Sequence, residues 1–386
     1  MGLPDLQREL EQLEAQSLLR RRRRLEGMQG ARVRVDGRDY LSFCSNDYLG
    51  LAGDPRLIEA ACAGALNCGV GAGASHLVSG HHAAHARFER DVAEFAGFDS
   101  ALLFSSGYAA NLGVMSALLG RNDAVFADRL NHASLNDAVL LSRARLRRYP
   151  HLDTAALERL LASTPARRKL VATDAVFSMD GDIAPLPQLL ALCERHDAWL
   201  LVDDAHGFGV LGEAGRGTLS HFGLAAPRII YMATLGKSAG VAGAFVAASR
   251  DLIDWLIARA RTYVYTTALP PLLASALATS LPIIAAESWR RERLAERIAA
   301  LRAQVQVTRW RLAESSTPIQ PLLIGASAEA VEVGARLAEH GILVPAIRPP
   351  TVPQGTARLR ISLSAAHGAD DVARLAQALN RIEQGA

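Results

Sequence analysis

Short apolar runs alternate with longer helical segments between about residue 100 and residue 286. The runs ALLF at 101–104, KLVATD at 169–174, AWLLVD at 198–203 and RIIYMAT at 228–234 are each followed by a polar or glycine-containing loop. The segments between them have the length and apolar spacing of helices. Strands that alternate with helices predict a mostly parallel sheet covered on both faces, and therefore an α/β fold.

The pattern changes after residue 286. The segment ESWRRERLAERIAALRAQ at 287–304 is typical of a charged amphipathic helix, and short apolar runs and further helical segments follow it. We predict a smaller α+β domain at the carboxyl end. The predicted division is an N-terminal segment at 1–48, a large domain at 49–285 and a small C-terminal domain at 286–386.

Polar side chains follow several of the predicted strands. Asp203 ends one strand and His206 lies in the loop after it, while residues 105–107 (Ser-Ser-Gly) separate a strand from a helix. His132 and Ser178 lie in comparable loops. Parallel sheets bind ligands at the carboxyl ends of their strands, and a helix N-terminus favours an anion such as phosphate. We expect these groups to form one ligand site.

Lys237 is the only charged residue in MATLGKSAGVAGAFV at 232–246. A lysine in a dry environment has a lowered pKa, which makes its amine a nucleophile or a base suited to a Schiff base. The alternative is a lysine with a buried stem whose ammonium group reaches water. A lysine, an aspartate, a phosphate cradle and two histidines are together the groups that pyridoxal phosphate (PLP) requires.

Charge and composition exclude several classes of function. The net charge of +3 gives no overall field for nucleic acid, and the four cysteines show no metal-binding spacing, so no metal is expected. Free cysteines and the absence of an apolar leader favour the cytoplasm. Residues 262–286 carry no charge, but Pro270, Pro271 and Pro282 interrupt them, so we predict a core helix and no membrane span. The run Arg20–Arg24 is either a solvated arm or an anion site.

Eight ordered motifs resemble the α-oxoamine synthases, a family of fold-type I PLP enzymes. The resemblance runs nearly from end to end of the chain. The motifs are SNDYLGL at 45, VSGHHAAHARFE at 78, FSSGYAAN at 104, DRLNHASL at 128, VFSMDGDIAPL at 176, VDDAHGFGVLGEAGRG at 202, TLGKSAG at 234 and AIRPPTVPQGTARLRISLSAAH at 346. The last block is most like the branch that joins L-alanine to a pimeloyl thioester in biotin biosynthesis.

The resemblance implies a set of cofactor residues. Lys237 would bind PLP as a Schiff base and then act as the base at Cα. Asp203 would keep the pyridine nitrogen protonated, while His132 would stack on the ring and assist decarboxylation. The other cofactor residues that it implies are His206 and Ser178 at the phenolic oxygen, Gly107, Tyr108 and Thr234 at the phosphate, and Thr266 and Thr267 at the phosphate of a partner subunit in a homodimer with shared sites.

The resemblance also implies the substrates and their ligands. The acyl donor would be pimeloyl-CoA or a pimeloyl-carrier protein. Arg360 would bind the amino-acid carboxylate, with His132 beside it, and Arg348 and Thr351 would line the acyl end of the pocket. Arg20, or a neighbour in the same run, would bind the carboxylate at the tip of the acyl chain. The chain departs from several relatives at His76, where they carry arginine.

Other functions remain open on the sequence. The sister activities are 2-amino-3-ketobutyrate CoA ligase, 5-aminolevulinate synthase and serine palmitoyltransferase, which differ in amino acid and acyl chain. An aminotransferase is compatible with Lys237 and Asp203 alone. A basic-armed binding protein acting through Arg20–Arg24 would bind nucleic acid or anionic lipid and would not depend on Lys237.

Overall fold

The computed structural model describes residues 4–385, which divide into two compact units. The first unit contains residues up to 48, residues 179–182 and residues from 292 onward, and the second contains 49–178 and 183–291. This division differs from the predicted one in three respects. The N-terminal segment groups with the C-terminal residues in one unit, residues 179–182 of the predicted large domain belong to that same unit, and the second unit extends to Arg291 rather than to residue 285.

Helices and strands alternate through most of the described chain. The helices are α1 Pro4–Ala15, α2 Pro55–Cys68, α3 Ala83–Ala96, α4 Gly107–Leu118, α5 Ala133–Ser142, α6 Thr154–Ser163, α7 Leu186–Arg195, α8 Thr218–His221, α9 Arg250–Arg259, α10 Arg261–Val264, α11 Pro271–Ala286, α12 Ser288–Gln304, α13 Ser327–Glu339 and α14 Ala369–Glu383. The strands are β1 Leu25–Glu26, β2 Arg32–Val35, β3 Arg38–Ser42, β4 Ser100–Phe104, β5 Ala124–Asp128, β6 Arg145–Tyr149, β7 Lys169–Asp174, β8 Ala198–Asp203, β9 Ile229–Thr234, β10 Ala244–Ala248, β11 Arg311–Leu312, β12 Ile319–Gly325, β13 Ile342–Leu343, β14 Ala346–Ile347 and β15 Ala357–Ser362. A π-helical turn spans His76–Gly80 and a 3-10 turn spans Glu213–Gly215.

The second unit is built on a seven-stranded sheet in the order β4-β10-β9-β8-β7-β5-β6. Strands β6, β5, β7, β8 and β9 pair in parallel, whereas β10 pairs antiparallel with both of its neighbours. The predicted mostly parallel sheet is therefore confirmed. The central strands β5, β8 and β10 are buried almost throughout, as expected for a sheet covered on both faces.

Helix α4 shows why local sequence places a helix at the end of β4. Ser106 has an extended backbone, and its Oγ accepts a hydrogen bond from the Ala109 amide at 3.1 Å, which caps the helix. The buried positions of α4 form one broad face, which packs within the core. The cap fixes Gly107 as the first helical residue at the strand end.

The first unit contains two small four-stranded sheets. One has the order β1-β2-β3-β13, in which β3 and β13 pair in parallel although they are far apart in the sequence. Next to this pairing the Cys44 thiol donates to the Leu343 carbonyl, 299 positions away. The other has the order β11-β12-β15-β14, and its pairings are antiparallel. Strand β15 is buried at every position, so Arg358 and Arg360 lie inside this unit.

The uncharged segment at 262–286 becomes α10, a short connection and the helix α11. Pro271 occupies the first turn of α11, where its missing N–H costs nothing, and eight of the 16 residues of the helix are buried. In the described part of the chain no single helix combines the length and hydropathy needed to cross a bilayer. Helices α11 and α12 reach those limits only when taken together, and they are bent by 68° at the break between them.

A network of ion pairs anchors the start of α2. Asp54 caps the helix by accepting from the Arg56 amide at 3.0 Å, and its carboxylate also pairs with Arg290 at 3.0 Å. Arg290 donates to the Leu49 carbonyl as well, at 2.8 Å. Both side chains of the Asp54–Arg290 pair are about nine-tenths buried, so each charge depends on the other.

We expect Asp54→Asn to lower the free energy of unfolding by about 2 kcal/mol, because it removes the charged acceptor of Arg56 and of the buried Arg290, which keeps only Glu287 as an ion-pair partner. Hydrogen bonds from the Arg56 side chain outweigh the effect of burial and, with the charges of Arg56 and Arg290, lower the pKa of Asp54 to about 2. Its contribution is therefore complete above the ordinary aspartate pKa of about 3.9 and is lost as the pH falls towards 2. Urea unfolding at pH 7 and at pH 3 measures both effects. Glu59→Gln, an exposed change on the same helix, is the control, and equal stability of the two variants would contradict the prediction.

Candidate active site

Adjacent strand ends bring an acidic pair together in the second unit. Asp174 ends β7 and Asp203 ends β8, and the two residues are partners in the parallel ladder. Both are buried, with 5% and 4% of their surface exposed. Burial, followed by the charge of Asp203, holds the pKa of Asp174 well above its ordinary range. Of the two carboxyl groups, Asp174 is the one whose ionised form is disfavoured by its surroundings.

The Asp203 carboxylate accepts hydrogen bonds from neutral groups. The Asn111 side-chain amide donates to one oxygen at 2.8 Å, and the Ala205 backbone N–H donates to the other at 3.1 Å. Among residues 4–385, no cationic side chain lies within ion-pair distance of this carboxylate. A buried carboxylate with only neutral donors is suited to bind a cation that a ligand brings.

Lys237 lies in the connection at 235–243 between β9 and β10. This connection folds back on itself, with the Gly240 N–H bonded to the Lys237 carbonyl at 2.9 Å. Gly240 has φ +71°, and a Cβ there would stand 2.6 Å from the Leu51 carbonyl carbon, so the turn requires glycine. The half-buried Lys237 donates from Nζ to His206 Nε2 at 2.7 Å. An ammonium group has donors only, so His206 carries the lone pair on Nε2.

His132 caps α5 at the end of the β5 loop. Its Nδ1 accepts from the Ser134 amide at 3.2 Å and is 2.8 Å from the Ser134 hydroxyl, while its own amide donates to Asp174 at 2.8 Å. Loss of hydration lowers the pKa of His132. The carboxylates of Asp203 and Asp137 act to raise it and the Lys237 charge acts to lower it, and the net change is downward. The imidazole is therefore held neutral, with its flat face available for stacking.

One cavity of about 190 Å³ collects these groups. It is smaller than the 300–1,000 Å³ of most drug-sized sites, so it is suited to one small planar molecule. Its lining residues are Gly107, Tyr108, His132, Ser134, Asp174, Ser178, Asp203, Ala205, His206, Met232, Thr234 and Lys237. Every cofactor residue predicted within a single chain is in this set.

The donor set fits PLP. The first-turn amides of α4, at Gly107 and Tyr108, offer N–H groups and the positive end of a 12-residue helix to a phosphate. Asp203 supplies the carboxylate for a protonated ring nitrogen, and Lys237 supplies the amine. Thr234 also lines the cavity. Its hydroxyl donates to the Gly243 carbonyl at 3.1 Å, which holds the side chain at the cavity wall.

Thr266 and Thr267 are not among the residues that line this cavity in the described chain. Thr266 lines a separate cavity with Ser105, and Thr267 is exposed. Their contact with the phosphate of a partner subunit stays a prediction.

Four of the predicted substrate residues, Arg20, Arg348, Thr351 and Arg360, lie in the first unit, whereas His132 lies in the second. Arg20 donates to the Thr351 hydroxyl at 3.0 Å across 331 positions, and the Arg348 guanidinium donates to the Ser17 carbonyl. The structure therefore brings Arg20, Arg348 and Thr351 into one neighbourhood. The run Arg20–Arg24 is otherwise exposed to solvent, as a charged arm would be.

Arg360 lies on the buried strand β15 of the same unit. Its guanidinium donates to Asn46 Oδ1 at 3.1 Å, to the Ser362 hydroxyl at 2.8 Å and to the Tyr48 hydroxyl at 3.4 Å. These hydrogen bonds orient the guanidinium inside the unit.

Three residues of the cavity region were missed by sequence reasoning. Asp174 ends its strand as Asp203 does, so the same strand-end rule could have found it. Ser134 lies two positions after His132 and bonds to it. Asn111 gave no local signal, because only the packing of α4 against the sheet shows that its amide bonds both Asp203 and Ser134.

Comparisons with known proteins agree on the family. The model of the class I and II aminotransferase family matches residues 38–379. The 8-amino-7-oxononanoate synthase of Nitrosospira multiformis is 63% identical over 368 residues, which cover 95% of this chain and 93% of that protein. The enzyme of the same name from Nitrosomonas eutropha is 62% identical, and the matched residues cover 98% of this chain and 99% of that protein.

Two solved structures share the fold. A serine palmitoyltransferase with PLP has a TM-score of 0.94 and 28% identity, covering 100% of this chain and 99% of its own. The 8-amino-7-oxononanoate synthase of Francisella tularensis has a TM-score of 0.77 and 30% identity, and the match covers 90% of this chain and 98% of that protein. The fold-type I prediction is confirmed, and the fold alone does not separate these two activities.

We expect Asn111→Ala to weaken PLP binding by about tenfold, since a hydrogen bond to a charged group contributes about 1.5–3 kcal/mol. The variant removes the donor that positions the Asp203 carboxylate. Titration of the apo-protein with PLP, followed by absorbance, measures the dissociation constant. Asn67→Ala, an exposed change on α2, is the matched control, and an unchanged constant in Asn111→Ala would contradict the assigned role.

Proposed function

The chain belongs to the class I and II aminotransferase family, and from its identity with the 8-amino-7-oxononanoate synthases we propose that it joins L-alanine to a pimeloyl thioester. The products are 8-amino-7-oxononanoate, carbon dioxide and a free thiol, a reaction of biotin biosynthesis. The observation that carries this proposal is 63% identity over 95% of the chain. The geometry of the cavity supports the cofactor chemistry, which the sister activities share.

PLP, when bound, supplies an electron sink for the negative charge left on the alanine Cα after a bond to it breaks. Lys237 Nζ lies at the cavity wall and takes the proton from that carbon. The neutral Nε2 of His206 accepts from Lys237 Nζ at 2.7 Å and so orients the amine. The Asp203 carboxylate would keep the ring nitrogen protonated, and the His132 ring would stack on the cofactor.

The reaction balances through groups that the chain can provide. The alanine Cα loses a proton and forms a bond to the thioester carbonyl carbon, and the thiolate leaves. The alanine carboxylate then departs as carbon dioxide, and a proton returns to Cα from Lys237, assisted by His132. We assign Arg360 to the alanine carboxylate, because the resemblance places it there and its buried guanidinium is oriented by hydrogen bonds to Asn46 and Ser362. Arg20, Arg348 and Thr351 bind the acyl end.

We further propose a cytoplasmic homodimer in which Thr266 and Thr267 reach the phosphate of the other subunit. Several large apolar side chains of the second unit are exposed in the single chain, and a second copy would cover them. Examples are Leu66 at 88%, Val70 at 76%, Leu140 at 68% and Tyr265 at 73% exposed. The four cysteines are unpaired, as in a reducing compartment.

Serine palmitoyltransferase activity is the second candidate, because the structures of that enzyme have the higher TM-scores. The two activities differ at the tip of the acyl chain, which is a carboxylate in one and a methyl group in the other. The guanidinium groups of Arg20 and Arg348 favour the carboxylate.

Thiol release by the PLP-loaded protein tests the function. We expect release with alanine and pimeloyl-CoA, and little release when glycine or serine is crossed with acetyl-, succinyl- or palmitoyl-CoA. Lys237→Ala should abolish release, since no other amine lines the cavity within the described residues. Release with serine and palmitoyl-CoA would move the protein to the second candidate. Pyruvate formation from alanine without a thioester would instead show an aminotransferase.

We expect Arg20→Gln to raise KM for pimeloyl-CoA about tenfold, equivalent to about 1.4 kcal/mol, with a smaller change in kcat. The reason is the loss of the ion pair with the acyl carboxylate. Steady-state kinetics measure both constants, and Arg22→Gln is the matched control in the same exposed run. If Arg22→Gln and Arg20→Gln raise KM equally, the run acts as a general basic arm and the assignment to Arg20 is wrong.

A further inference from the structure

Asp204 is a buried carboxylate that the proposed reaction does not use. It follows Asp203 directly in the chain, but it does not line the cavity that contains Lys237. Successive side chains along a strand point to opposite faces, and Asp204 accordingly lies outside the cavity lining. None of its surface is exposed to solvent. A carboxylate in such a position requires hydrogen-bond donors.

Three donors converge on this carboxylate. The Thr218 backbone N–H donates to one oxygen at 2.6 Å, and the Thr218 hydroxyl donates to the other at 2.6 Å. The Tyr231 hydroxyl donates to the first oxygen at 2.8 Å. Thr218 and Tyr231 are as fully buried as Asp204, with at most 1% of their surface exposed. We call the side chains of Asp204, Thr218 and Tyr231 the Asp204 cluster.

The cluster closes the loop that carries His206. This loop begins at Asp204, directly after β8, and ends just before Thr218, the first residue of α8. The hydrogen bonds from Thr218 to Asp204 therefore join its two ends. Within the loop, the Gly209 N–H bonds to the Gly215 carbonyl at 2.8 Å. The loop is thus held at its ends and across its middle.

Tyr231 fixes the closed loop to the sheet. It lies on β9, and its ring packs between Phe98 and Phe245, each with ring centroids 5.8 Å away. Gly217, at the end of the loop, has φ +98°, and a Cβ there would collide with the Tyr231 hydroxyl and the Asp204 carboxylate. The end of the loop is therefore packed directly on the cluster.

His206 is the residue of this loop that reaches the catalytic amine. It lies two positions after Asp204, and its Nε2 is 2.7 Å from Lys237 Nζ. Lys237 belongs to a different connection, between β9 and β10. The contact between the two side chains therefore depends on where the loop is held.

We propose that the Asp204 cluster is a positioning element that holds His206 at Lys237 Nζ and thereby favours the protonated form of the nitrogen that binds PLP. His206 accepts a hydrogen bond from this nitrogen, so its withdrawal would destabilise the protonated form. Asp174, Asp203 and His132 also act on the charge of Lys237 or face it in the cavity, so the test compares variants that leave them in place. The proposal rests on Lys237 as the PLP-binding amine, but not on the acyl substrate.

The absorbance of the PLP-loaded protein, titrated with pH, tests the proposal. The protonated Lys237–PLP linkage absorbs at a longer wavelength than the neutral one, and no substrate is needed. We expect Tyr231→Phe and Asp204→Asn to move the midpoint of this titration to lower pH by up to about 1 pH unit, the size expected for loss of one hydrogen bond. In Asp204→Asn one acceptor oxygen becomes an amide donor, which cannot accept from Thr218.

Tyr149→Phe is the matched control. It removes another buried tyrosine hydroxyl of the same unit, one that bonds to Thr173 and not to the Asp204 cluster. Its midpoint should equal that of the wild type. His206→Ala should move the midpoint in the same direction as Tyr231→Phe does.

A double variant separates positioning from a general loss of structure. If the cluster acts through His206, Tyr231→Phe adds no further change to His206→Ala. Tyr231→Phe keeps the ring that packs on Phe98 and Phe245, so it folds even if Asp204→Asn does not. An unchanged midpoint in Tyr231→Phe, or an equal change with and without His206, would overturn the proposal. A wild type without the pH-dependent absorbance would contradict Lys237 as the PLP-binding amine and the proposal with it, whereas thiol release tests the acyl substrate separately.

Discussion

The buried carboxylate of Asp203 is the constraint around which the rest of the site is arranged. Removal of a carboxylate from water is costly unless hydrogen bonds and an opposite charge compensate it. Asn111 and Ala205 supply the hydrogen bonds, but they supply no full charge. Burial, followed by the neighbouring Asp203, raises the pKa of Asp174, its partner in the ladder. A protonated ring nitrogen would supply the opposite charge that the Asp203 carboxylate needs.

The reversal of a single strand keeps the catalytic amine at this edge of the sheet. Strand β10 runs antiparallel to β9, so the connection between them is a short turn and not a helical crossover. Lys237 therefore remains beside the carboxyl ends of β7 and β8, within reach of His206. The glycine at 240 permits the tight turn that this short connection needs.

Cofactor chemistry and substrate choice are carried by different parts of the chain. The residues around the cavity come from consecutive strand ends of the second unit, and serine palmitoyltransferase shares this fold at a TM-score of 0.94. The residues assigned to the acyl end come from positions 20 and 348–351, which meet inside the first unit. Identity of 63% over 95% of the chain therefore separates the sister activities better than the fold does.

The sequence by itself determined the order of strands and helices, the mostly parallel sheet and six of the residues around the cavity, because strand periodicity and strand-end chemistry are local properties. Tyr108 and Thr234 came from the family resemblance alone. It did not reveal the Asp174–Asp203 pairing, since ladder register depends on how separate strands align. It also missed Asn111, whose role arises from the packing of one helix on the sheet. The union of the N-terminal segment with the C-terminal unit, and the meeting of Asp204, Thr218 and Tyr231, were likewise decided only by the tertiary structure. Burial and long-range contacts set these features, and neither is encoded in a short stretch of residues.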